Sequence, residues 1–248
     1  MTISNFRVKR PRPKKLSDPE YDFTPKLLKE LLAVPDNQLE IRHYINLLGP
    51  YLPAGTYDES VYFLPGAFRY LVVLDDGGQA MSLVHAIIGF ISMNQRYLQD
   101  DDILETVRDC VRECLEHWTK QFQIVHYDRE ASQKKGWGIP YFDYVKNTEI
   151  VAAAINDLVD FKAHVDLAEE FVKALADNTS DSVKAAWFLE YARTQFDPVR
   201  QPPPHKPITR LITDTERLRK AAKLVREHVN LTESSPTYWH DTFRRLHL

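Results

Sequence analysis

The chain has little of what usually announces a mechanism. Two cysteines in 248 residues cannot make a disulfide framework. Glycine is scarce, at eight residues, and none of it builds a phosphate-cradling loop or the turn that exposes a nucleophilic serine. No apolar run approaches the roughly 18 residues that a membrane span needs. The opening stretch MTISNFRVKRPRPKK has no apolar segment of the kind a secretory signal carries. A protein of the cytoplasm, without cofactor or membrane contact, is the expectation. Strict apolar–polar alternation, the mark of a half-buried strand, is also missing.

Helical periodicity is present from about residue 24 onward. In TPKLLKELLAV, Thr24 suits an N-cap and Pro25 the first helical position. Pro65 interrupts YDESVYFLPGAFRYLVVL, so a kink or two short helices are expected there. The segments QAMSLVHAIIGFISMNQRYL and DDDILETVRDCVRECLEHWTKQFQIV read as long helices, and the acidic triplet Asp100–Asp102 is placed at the positive end of the second helix's dipole. Pro140 can open another helix, running through Tyr144. The sum is an all-α protein, an irregular multi-helix bundle of about ten helices. A HEAT-like α-solenoid is the alternative, although no motif recurs at fixed spacing. The expected division is a flexible basic arm over 1–17, a main helical domain over 18–200, a Pro-rich linker over 201–207, and C-terminal basic helices over 208–248 that pack on the main domain.

The net charge of −3 conceals an uneven layout. Residues 1–15 hold six Lys or Arg and no acid, residues 16–205 hold 17 basic and 30 acidic residues, and residues 206–248 hold nine and five. An acidic body with basic ends speaks to partners rather than to fold. Nucleic acid could be touched through the arm or through residues 208–229, since phosphate contact asks only for Lys and Arg. The acidic body would repel a duplex lying across it.

DCVRECLEHW is the stretch that most resembles chemistry, because Cys110, Cys114 and His117 share one helical face. The seam Val107, Val111, Leu115, Trp118 runs alongside them, and free cysteine behaves as a small hydrophobe. A zinc site would need a fourth ligand that the spacing does not supply. Core packing is therefore the reading, and no catalytic, cofactor or metal residue is assigned. Candidate partner-binding residues are the acids Asp100, Asp101, Asp102 and Glu105, with the aromatics Trp137, Tyr141 and Phe142 of the loop QKKGWGIPYFDY. Tyr62, Phe63, Phe68 and Tyr70 are also clustered, at a spacing that favours core. The functional expectation is a non-catalytic protein-binding module of immunity or antitoxin type that captures a basic partner. A helical scaffold subunit and a helical metal-dependent hydrolase are the alternatives.

Overall fold

The computed structural model describes residues 3–18, 23–49, 53–74, 77–125, 144–145, 148–195, 205–228 and 236–248. The protein is all-α, and its helices are gathered into two compact units. The first unit comprises residues 1–118 and 149–165, and the second comprises residues 119–148 and 166–248. The boundary between them falls inside the stretch read from sequence as one main domain.

In the first unit, helix α1 (Pro25–Ala33) starts where the sequence signals it: the Thr24 side chain accepts the Leu27 N–H and Pro25 occupies the first turn. Helix α2 (Ile41–Leu48) follows a 3-10 turn, Asp36–Gln38. Pro65 divides the next segment into α3 (Tyr57–Ser60), a 3-10 turn over Val61–Phe63, and α4 (Leu64–Val73). The proline sits in the first turn of α4, where a missing N–H costs nothing. Helix α5 (Gly77–Met93) is apolar around most of its circumference and is correspondingly central, packing against α2 and α4. It does not continue through Asn94, where α6 (Gln95–Asp100) begins after a break.

Helix α7 (Leu104–Lys120) buries Val107, Cys110, Val111, Cys114, Leu115 and Trp118 along one stripe. Helix α8 (Thr148–Asp160) adds Val151, Ala154, Ile155 and Leu158 to this unit's core. It is tied to α5 by His85 Nδ1, which lies 3.2 Å from Asp157, and by Ser92, whose hydroxyl donates to the Phe161 carbonyl. Burial pushes the Asp157 carboxyl up, and the bond to His85 offsets part of that rise.

Residues 3–18 correct the expectation of a flexible arm. Phe6 is fully buried against Phe68, and Ile3 and Leu16 are buried as well. The Ile3 N–H donates to the Glu113 carboxylate at 2.7 Å, and Arg12 donates to the carbonyls of Leu32 and Val34. The run of cations masks three apolar anchors spaced along it, and those anchors decide where the segment lies.

The second unit is organised around α10 (Ser182–Gln195), in which every residue from Ala185 to Ala192 is buried. Helix α9 (Val165–Ala176) supplies Phe171, whose ring meets Trp187 edge-on. The expected basic helix over 208–229 is two helices. Helix α11 (Lys206–Thr213) ends at Asp214, whose carboxylate then accepts the N–H groups of Glu216 and Arg217 to cap α12 (Thr215–His228). Helix α12 lies along α10 and buries Leu218, Ala221, Ala222 and Val225. Helix α13 (Pro236–Arg245) closes the chain.

A minimal antiparallel pairing corrects the helix expected from Pro140 at Tyr144–Val145. Ile124 and Val125 form β1 and pair with Val145 and Tyr144 of β2, and α8 begins at Thr148. β-Branched and aromatic residues on both sides favour that pairing. Among the described residues no helix is long and apolar enough to cross a membrane.

Candidate functional site

Cys110 and Cys114 are free thiols buried in the α7 stripe. Burial, aided by Glu113 and Asp109, pushes the Cys110 thiol up to about 12, and Cys114 is raised well above its ordinary value by burial. Both side chains pack in the core, and burial disfavours the thiolate that a nucleophilic cysteine needs. Among the described residues no three His, Cys, Asp or Glu side chains are grouped to hold a metal ion.

The acidic triplet is not a simple helix start. Asp100 ends α6, Asp101 is its C-cap, and Asp102 adopts a left-handed backbone with φ 57°. The Asp102 N–H donates to the Gln99 carbonyl and the Ile103 N–H to that of Leu98, the pair of bonds that closes a Schellman turn. The triplet therefore occupies the corner between α6 and α7, at the unfavourable end of the α6 dipole as well as before α7.

Arg10 resolves the crowding. Its guanidinium forks onto both Asp101 carboxylate oxygens, at 2.7–3.1 Å, and reaches Asp58 at 2.6 Å. The Tyr57 hydroxyl donates to Asp101 at 2.7 Å. Tyr57 in turn stacks on Tyr97, with centroids 5.1 Å apart, and on Phe90 at 6.1 Å. One arginine from the N-terminal segment thus draws α3 and the end of α6 together. The resulting corner presents Asp58, Asp100, Asp102 and Glu105 to solvent beside Tyr97, which is 55% exposed, and Met93, which is 57% exposed. Arg96 lies on the α6 face that carries Asp100, one turn earlier, so the corner is acidic without being uniformly so.

Burial alone would raise the Asp101 carboxyl, but the bonds from Arg10 and Tyr57 outweigh it and hold the group below its ordinary value. A carboxyl lowered on folding stabilises the folded state above its unfolded value of about 3.9, and that contribution is lost as pH falls through the lower folded value. Arg10→Ala is expected to cost about 1 kcal/mol near neutral pH and nothing measurable once Asp101 is protonated in both states. Urea titrations of both proteins across the acid range check this. A cost that stays constant down to pH ~2.5 would mean that the pair does not hold Asp101 ionised.

Of the residues singled out from sequence, Asp100, Asp101, Asp102 and Glu105 stand at this corner, with Asp101 turned inward to Arg10. Trp137, Tyr141 and Phe142 lie outside the described residues. Tyr57, Asp58, Tyr97 and Arg10 were not singled out, since only folding brings residues 10, 57 and 101 together. The basic residues of α12 are largely engaged within the second unit. Arg217 pairs with Asp177 and Asp214, Lys220 with Glu216, and Arg226 lies over the Phe243 ring. No protein-family model, curated protein or solved structure matches the chain.

Proposed function

We propose that this protein is a non-catalytic binding module that holds a basic protein partner at the corner formed by Asp58, Tyr97, Asp100 and Asp102. The observation that carries the reading is the Arg10 bridge, which gathers carboxylates distant in sequence beside an exposed, stacked tyrosine. Exposed aromatics anchor interfaces, and surrounding charge speeds encounter and disfavours wrong partners. Neutralisation of a basic toxic enzyme, as immunity and antitoxin proteins achieve it, is the function this chemistry suits. Two buried free thiols fit a reducing compartment such as the cytoplasm.

The test compares immobilised wild-type protein with Asp58→Lys/Asp100→Lys/Asp102→Lys and with Tyr97→Ala, each exposed to extract of the native cell at low and high salt. One dominant basic protein should be retained by the wild type at low salt. Its retention should fall at high salt and drop at least about tenfold in the charge-reversed variant. Equal retention by all three proteins, with helicity unchanged by circular dichroism, would remove the corner from the interface.

A further inference from the structure

The first unit contains a cavity of about 510 Å³ that the acidic corner does not use. It lies where the N-terminal segment at Arg7–Val8 passes α2, α4 and the Asp36–Gln38 turn, and its size falls in the range of small-molecule sites. Its charge is the first clue. Arg7 Nη1 and Arg69 Nη1 both donate to the same acceptor, the Phe6 carbonyl oxygen, at 2.7 and 3.3 Å. Two guanidiniums thus converge on one neutral group. Neither meets a carboxylate among the described residues, and the acid on the cavity wall, Asp36, is engaged by Arg12 and by the Tyr62 hydroxyl. Like charges held this close repel, and an anion between them would relieve the repulsion.

The second clue is a phenol on the wall. Tyr44 is 4% exposed and lines the cavity. Gly66 permits its approach to α4, because a Cβ there would stand 2.8 Å from the Tyr44 oxygen. The third clue is the wall itself: Tyr62 and Tyr70 are half-buried and line the cavity, and Tyr44 packs on Tyr70 with ring centroids 5.6 Å apart. Such surfaces take a flat ring well.

We infer that this cavity binds a nucleoside monophosphate, its phosphate between Arg7 and Arg69 and its base against the tyrosine wall. Guanidiniums match phosphate oxygens in geometry as well as in charge. Two of them suit a single phosphate. A di- or triphosphate would call for further cations, and the cavity wall offers none.

Isothermal titration of the full chain tests this with inorganic phosphate, ribose 5-phosphate, the free nucleosides and the four common nucleoside monophosphates. At least one monophosphate should bind about tenfold or more tightly than phosphate, ribose 5-phosphate or its own nucleoside. Arg7→Ala/Arg69→Ala should weaken it by at least about tenfold, and Tyr44→Phe should weaken it less. Both arginines are exposed, so the double variant should keep its fold, which circular dichroism verifies. No binding at millimolar ligand, phosphate binding as tightly as the nucleotide, or an undiminished double variant would each overturn the assignment.

Discussion

Trp187→Ala is expected to lower the unfolding free energy by about 3–5 kcal/mol, the range for deleting a fully buried large aromatic. Trp187 is fully buried in α10 and is sandwiched: Phe122 stacks at 5.6 Å and 7°, Tyr191 at 5.1 Å and 12°, and Phe171 meets it edge-on. Alanine removes the transfer energy of the indole, opens a cavity, and dismantles stacked pairs worth about 0.5–1.5 kcal/mol each. The indole N–H is buried without a hydrogen-bond partner among the described residues, so Trp187→Phe loses volume but also relieves an orphan donor. Its cost should be well under half that of alanine. Urea denaturation followed by far-UV circular dichroism measures both without relying on tryptophan emission. An alanine variant within about 1 kcal/mol of wild type would mean that α10 is not the centre of the second unit.

Phe6→Ala is the second large effect, and it decides how the N-terminal segment behaves. The side chain is fully buried, 6.2 Å from the Phe68 ring. Its loss should cost about 3–4 kcal/mol. Trypsin adds a local readout, because the bonds after Arg7 and Lys9 are cleavable, whereas those after Arg10 and Arg12 precede proline. In wild type the pinned backbone should resist early cleavage, and in the variant these bonds should be cut well before the helices. Rapid cleavage after Arg7 in the wild type would return the segment to the status of a free tail.

What could be read from the sequence was whatever rests on local chemistry. The Thr24–Pro25 start, the break at Pro65 and the apolar stripe that absorbs both cysteines follow from neighbours within one or two turns. Helix ends were harder, because this glycine-poor chain closes three helices with Asp102, Lys162 and His247 at left-handed positions, residues that give no Gly signal. The capping role of Asp214 was likewise hidden inside a continuous amphipathic pattern. At the candidate site, local sequence located the acids but not their partner. Asp101 read as one of the acids offered to a partner, and only the return of Arg10 from 91 positions earlier turns it inward. The cavity arginines were equally silent. Arg7 belonged to a basic run and Arg69 to a helix face, and no local rule joins them.

The interleaving of the two units has a consequence for synthesis. The first 118 residues emerge without α8, which supplies Val151, Ala154, Ile155 and Leu158 to their core. That core cannot close until residue 165 is available, by which point residues 119–148 of the second unit have already been made. At roughly 5–20 residues per second, the nascent chain spends several seconds with the apolar faces of α5 and α7 incompletely covered. During that interval those faces are exposed to non-native contacts. A chain ending near position 120 would keep them exposed permanently.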